Sequence, residues 1–268
     1  MTGSLEAVES ALERWRGEGP FVLGMCGAQG SGKSTLAGAM ARRLDQRGLR
    51  SAVLSLDDLY LPHEARARLA RETHTLFATR GVPGTHDVET GIRILDAARA
   101  GRDFVLPRFD KATDDPAPRE DWLTVSGPVD VLIFEGWCVG ARPQAETDLI
   151  RPVNALEAER DADGLWRRRV NAALAGPYAE LFAPIDRLVL LAAPGFEVVA
   201  RWRTEQERAL RLRVTEQGGD PDRMMSDVQV AGFIQHYERL TRWILSDMPL
   251  HADLTLNLDE QRRLKRTP

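Results

Sequence analysis

Short apolar runs alternate with longer stretches whose apolar residues recur at helical spacing, and this alternation sets the architecture to expect. Leu5, Val8, Leu12 and Trp15 share one helical face, so residues 4–16 read as an amphipathic helix with Ser4 as its cap. Apolar runs at 21–25, 51–56, 129–134, 188–191 and 254–256 read as strands. Helical periodicity fills the intervals at 33–46, 88–100, 165–182, 195–213 and 227–246. Strands separated by helices predict a doubly wound α/β fold, a parallel sheet of about five strands joined by crossover connections. No internal repeat or low-complexity linker interrupts the pattern, so residues 1–268 are expected to form one domain.

Directly behind the first apolar run stands Gly27-Ala28-Gln29-Gly30-Ser31-Gly32-Lys33-Ser34-Thr35, a complete G-x-x-x-x-G-K-[ST] phosphate-binding loop in strand–loop–helix order. Its glycines let backbone N–H groups approach phosphate oxygens, and the helix N-terminus adds partial positive charge there. Lys33 can reach the β- and γ-phosphates, and the Ser34 hydroxyl can complete a Mg²⁺ shell. The loop implies a nucleoside triphosphate ligand and a P-loop NTPase fold.

Composition narrows the setting. Hydrophobic residues at 43% and charged residues at 28% are ordinary for a globular protein, and a net charge of −4 points to neither nucleic acid nor membrane as partner. Two cysteines, Cys26 and Cys138, make no disulfide framework, and Cys26 reads as a small buried residue. The acidic residues of the first nineteen positions fit no signal peptide, and the longest apolar runs are too short to span a bilayer, so a cytoplasmic protein is expected.

Phosphoryl transfer further requires an acceptor held in line and a carboxylate beside its hydroxyl. Asp57, at the end of the second strand and followed by Asp58 and Tyr60, is the leading candidate. Glu135 ends the third buried strand, where P-loop enzymes place a carboxylate that holds Mg²⁺ or orients the nucleophile. The segment from Arg201 through Arg203 and Arg208 reads as a lid helix, with Arg201 and Arg208 on one face and Arg203 elsewhere. Two polar connections, 80–87 and 106–116, stand out as functional loops. His86, between Thr85 and Asp87, is the histidine expected at the site, whereas His63, His74, His236 and His251 read as surface residues.

Taken together, residues 27–35, Ser55-Leu56-Asp57-Asp58-Leu59-Tyr60, 80–87, 106–111, Phe134-Glu135-Gly136-Trp137, Trp202-Arg203 with Gln206-Glu207, and Met225-Ser226-Asp227 are similar to the D-glycerate 3-kinase group of P-loop kinases. That group is related to the uridine, pantothenate and phosphoribulose kinases, and the resemblance runs over about 21–245. It implies ATP and Mg²⁺ as cofactors, with Asp57 as acceptor-side base and Glu135 as the Mg²⁺-associated acid. It also implies an acceptor pocket of Asp58, Tyr60, Thr85, His86, Asp87, Arg108 and Lys111 on loops at about 57–120, and Arg201 or Arg203 in a lid at about 195–226. Leu59 and Ala112 depart from the Phe and Ser usual there. The implied reaction is transfer of the γ-phosphoryl group to the 3-hydroxyl of D-glycerate, a carboxylate acceptor. One alternative is a nucleoside, pantothenate-like or sugar-alcohol acceptor. A second is a nucleotide-hydrolysing switch or chaperone, although no guanine-reading N-K-x-D element is present.

Overall fold

The computed structural model describes residues 2–216 and 225–265. Helix α1 (Thr2–Trp15) lays Val8, Ala11 and Leu12 into the core. Ser4, expected as its cap, is buried inside the first turn, because helical backbone extends to Thr2 ahead of the spaced apolar positions. Strand β1 (Phe21–Gly27) is buried at every position and runs into the phosphate loop. Helix α2 (Lys33–Gln46) follows and packs Leu36, Ala37, Met40 and Leu44 inward. Strand β2 (Ser51–Ser55) ends in a 3₁₀ turn, Leu56–Leu59, that carries Asp57 and Asp58.

Helix α3 (His63–Glu72) has no apolar stripe, which is why the periodicity did not reveal it. Its buried residue is Arg66, whose guanidinium donates to the carbonyls of Leu61, Ala78 and Asp114 at 3.1, 2.8 and 2.9 Å. Helix α4 (Val88–Arg99) is capped by Asp87, which accepts the Thr90 N–H at 3.0 Å. Strands β3 (Phe104–Leu106), β4 (Phe109–Asp110), β5 (Asp115–Pro116) and β6 (Leu123–Val125) form two small antiparallel ladders, β3 with β6 and β4 with β5.

Strand β7 (Val131–Gly136) begins two residues later than its apolar run suggests, because its ladder with β1 starts at Phe21 opposite Val131 and continues to Cys26 opposite Gly136. Glu135 therefore lies within the strand. Helices α5 (Ala155–Arg160), α6 (Leu165–Ala175) and α7 (Pro177–Phe182) follow. The single helix expected over 165–182 divides at Gly176, where Pro177 lacks the N–H that would continue it. Strand β8 (Arg187–Ala192), helix α8 (Phe196–Glu216), helix α9 (Asp227–Asp247) and strand β9 (Leu254–Asn257) complete the chain. Ser226 and Gln229 close a capping box at the start of α9. Of the lid expected at about 195–226, residues 217–224 lie outside the described residues.

All five long strands run parallel in the order β2-β7-β1-β8-β9. Helices cover both faces, so β1 and β7 are buried throughout. The order reverses at β1, and the carboxyl ends of β1, β2 and β7 open into one crevice, the place where such sheets bind ligands. Among the described residues no helix is long and apolar enough to cross a membrane.

Candidate active site

The phosphate loop is held by its glycines. Gly32 has φ of +90° and opens α2 from the left-handed region, and Gly30 has φ of +76°. A Cβ on Gly27 would lie 2.7 Å from the Ser31 hydroxyl. Lys33 and Ser34 are the first two residues of α2, so both side chains leave from the helix N-terminus. Register brings two further strands to them, since Glu135 pairs with Met25 of β1 on one side and with Ser55 of β2 on the other. Glu135 Oε1 accepts the hydroxyls of Ser34 and Ser55, each at 2.9 Å. Its Oε2 lies 3.9 Å from Lys33 Nζ, buried and without a hydrogen-bond partner. A buried carboxylate oxygen with unused lone pairs is costly, and it marks a place for a further donor or a cation.

Opposite the loop stands Asp57. Its Oδ1 accepts the Tyr60 hydroxyl at 3.1 Å and its Oδ2 accepts Lys111 Nζ at 2.5 Å. Burial pushes its pKa up, but Lys111 and Lys33 outweigh burial and hold the carboxyl well below the usual carboxylate range. Asp58 faces away and accepts the Phe109 N–H at 3.0 Å, and burial raises its pKa. His86 stacks on Tyr60 with ring centroids 4.4 Å apart, and its Nδ1 lies 2.5 Å from the Tyr178 hydroxyl. Burial pushes the His86 pKa down to about 3 against the pull of Asp57, so the ring is neutral. Thr85 is buried and serves its own loop, accepting the Gly81 N–H and donating to the Val82 carbonyl.

Between these groups lies a cavity of about 200 Å³. Gln29, Gly30, Lys33 and Ser34 form one wall, and Asp57, Tyr60, Arg80 and Lys111 form the other. Helix α8 adds Arg203 and Gln206, while Trp137, Phe233 and Tyr237 close the back. Several residues singled out from the sequence do not line it. Asp58, Thr85, His86 and Asp87 stand behind the wall and support it. Arg108 is exposed, its backbone carbonyl accepts the Ala117 N–H at 2.8 Å, and its charge acts on Asp58 from outside the cavity. Arg201 turns outward to Glu260 at 2.9 Å and Arg208 to Asp227, so the helix face they share looks away from the cavity that Arg203 enters.

Arg80, Trp137, Gln206, Phe233 and Tyr237 were not among the expected site residues. Arg80 lies in one of the two polar connections, and Trp137 and Gln206 in segments of the resemblance, none with a role assigned, whereas Phe233 and Tyr237 lie four apart on α9, where the sequence shows only helical periodicity. Gly81 carried a signal for Tyr237. Its φ is +144°, and a Cβ there would lie 2.1 Å from the Tyr237 hydroxyl, which donates to the Arg80 carbonyl at 3.2 Å. Of the histidines expected at the surface, His63 is exposed but His236 is buried against the Trp166 ring, and His74 and His251 are largely covered.

No model of a known protein family matches the chain. Individual proteins do. It is 36% identical over 228 residues to the uncharacterized kinase mug58 of Schizosaccharomyces pombe, an alignment covering 81% of this chain and 78% of that protein. The chloroplastic D-glycerate 3-kinase of Arabidopsis thaliana is 29% identical over 258 residues, 91% of this chain and 53% of that longer protein. Among solved structures, the D-glycerate 3-kinase of Cryptococcus neoformans superposes with a TM-score of 0.79 at 26% identity, covering 100% of this chain and 98% of that one. With a phosphate loop ending the central strand of a five-stranded parallel sheet, the chain belongs to the D-glycerate 3-kinase-like group of P-loop kinases, phosphotransferases that act on an alcohol.

Proposed function

We propose that this kinase transfers the γ-phosphoryl group of ATP to the 3-hydroxyl of D-glycerate, giving 3-phosphoglycerate. The observation that carries the reading is the cavity itself. Lys33, Arg80, Lys111 and Arg203 line it together with a single carboxylate, Asp57. Four cations converge there, with Glu135, Asp114 and Glu207 behind Lys33, Arg80 and Arg203, and they suit a triphosphate and a small anionic acceptor in one enclosure. The names of the Arabidopsis and Cryptococcus relatives point the same way.

Placement supports a role for each lining residue. Lys33 neutralises charge building on the transferring oxygens, and Arg203 does so from α8. Asp57 is ionised at neutral pH, receives the acceptor hydroxyl as a donor and takes its proton as the new P–O bond forms and the γ-phosphorus parts from the bridging oxygen, which leaves on ADP. Because Lys111 and Tyr60 already occupy both oxygens of Asp57, its main contribution is orientation of the hydroxyl. Arg80 and Lys111 receive the carboxylate, in place of Arg108. Arg80 shares Asp114 with the buried Arg66, so two guanidinium groups face one carboxylate and positive charge remains for the substrate. Mg²⁺ suits the unpartnered Glu135 Oε2 and the Ser34 hydroxyl, hard oxygen donors of the type it takes. When bound, it supplies charge neutralisation at the β- and γ-phosphate oxygens. No trio of His, Cys, Asp and Glu gathers among the described residues, which fits a cation that keeps water and phosphate as most of its ligands. The two buried free cysteines suit the reducing cytoplasm, where we place the protein.

The test is acceptor-dependent ADP release measured with D-glycerate, glycerol, nucleosides and pantothenate. Turnover with D-glycerate far above that with glycerol is expected. Equal rates on both would overturn the carboxylate acceptor, and preference for a nucleoside would replace it.

A further inference from the structure

The turn after β9 returns across the phosphate loop. Leu258 pairs with Leu264, and Asp259 Oδ1 accepts the N–H groups of Gln261 and Arg263, each at 2.9 Å. At the tip, Arg262 has φ of +64°, a left-handed conformation that a residue with a Cβ keeps only where its surroundings hold it. Three partners hold it. Arg262 Nε donates to the Gly30 carbonyl at 2.7 Å, a terminal nitrogen donates to Glu205 of α8 at 2.8 Å, and the guanidinium lies 5.0 Å from the centre of the Trp202 ring. Trp202 is fully buried and donates its indole N–H to the Glu260 carbonyl at 2.7 Å. It also backs directly onto the loop, where a Cβ on Gly30 would lie 2.7 Å from the Trp202 Cβ.

We propose that Arg262 is a positioning residue that sets the phosphate loop for nucleotide. Arg262 does not line the cavity and acts through Gly30 and α8. Gly30 has no side chain to fix its peptide, so the loop could rotate there. The bond from Arg262, which does not line the cavity, anchors the Gly30 carbonyl to the turn after β9. Oxygens held outward leave the loop's N–H groups for phosphate. A loop ordered beforehand spares the nucleotide the cost of ordering it. Through Glu205 the same guanidinium fixes the distance between the loop and the stretch of α8 that carries Arg203 and Gln206. The proposal rests on the nucleotide reading of the loop and not on the identity of the acceptor.

Binding of ATP to the full chain, measured by calorimetry, tests it without any acceptor, so failure of the glycerate assignment cannot move the result. Arg262→Gly removes the guanidinium and relieves the left-handed strain. If Arg262 only braced its own turn, thermal stability would fall while the ATP Kd stayed within twofold of wild type, which would overturn the proposal. The expected result is a Kd raised about tenfold, partly restored by added guanidinium ion. Arg262→Lys keeps the charge but not the fork that spans Gly30 and Glu205, and the proposal requires at least a fivefold loss there too. Its fold is the less perturbed of the two, so unchanged binding in Arg262→Lys overturns the proposal even if Arg262→Gly does not fold.

Discussion

Lys33 and Lys111 stand on opposite walls of the cavity. Lys33 leaves the start of α2 beside Glu135, where a triphosphate would lie, and Lys111 is bound to Asp57 on the proposed acceptor side. Lys33→Ala should therefore lower kcat by about 10² or more, roughly 3 kcal/mol of transition-state stabilisation, and near-normal steady-state turnover would refute its assigned role. Asp57→Asn keeps the shape but loses the charge that receives the hydroxyl, so single-turnover rates should drop about 10²–10⁴-fold with ATP affinity retained. Asp58→Asn should act only through the Phe109 N–H it holds, as a change in acceptor KM. Arg80→Met should raise the glycerate KM by about 2–5 kcal/mol equivalent. Arg108→Ala should stay within about 1 kcal/mol, because Arg108 is exposed. A reversed order of the two arginine variants would move the acceptor carboxylate outside the cavity. The phosphate loop was legible because its chemistry demands fixed residue types at fixed spacing. Arg80 was not, since an arginine in a polar loop says nothing about which way it points.

Elements were legible where burial is apolar. The five long strands and helices α2, α4 and α9 lie within two residues of their hydrophobic patterns. Helices α3 and α5 were missed for one reason: what they bury is charged. Arg66 anchors α3 to three carbonyls, and Glu157 of α5 is buried against Arg239 of α9, with two carboxylate–guanidinium contacts at 2.8 and 2.7 Å. Periodicity counts such residues as solvent-facing. The small ladders of β3 to β6 were missed because two or three residues carry no period. The Glu157–Arg239 pair gives a prediction at this scale. Removing one partner leaves the other charge buried, so Arg239→Met should cost about 3–5 kcal/mol in urea unfolding. The double variant Glu157→Leu with Arg239→Met should recover much of it. A single-variant loss below about 1 kcal/mol would mean that water reaches the pair.

The molecule as a whole joins two halves with different physics. The sheet delivers the phosphate loop, Ser55 and Glu135 by strand register, and pattern reading reaches that half. The proposed acceptor side is a polar and aromatic stack built from loops and α7, in which Asp57, Tyr60, His86 and Tyr178 hold one another. That stack should make stability depend on pH. In the unfolded chain His86 takes up a proton near pH 6.5, whereas the folded ring, buried against Tyr60 and Tyr178, stays neutral down to about pH 3. Below pH 6.5 the unfolded state therefore binds the extra proton, and folding stability falls as pH falls, by up to about 1.4 kcal/mol per pH unit for one such histidine. His236, whose pKa burial also lowers, adds a slope of the same sign. Asp57 adds its own loss only as pH drops below the ordinary carboxylate range. The raised pKa of Asp58 acts in the opposite direction, since there the native state takes up the proton first. Between pH 5 and 6.5 the histidines dominate. Urea unfolding across that window should show a steep fall in wild type. His86→Asn should be shallower by about 1 kcal/mol per unit while keeping a residual slope from His236. Identical slopes in the two proteins would mean that His86 is protonated in the folded state, and the neutral stack behind Tyr60 and Asp57 would have to be abandoned.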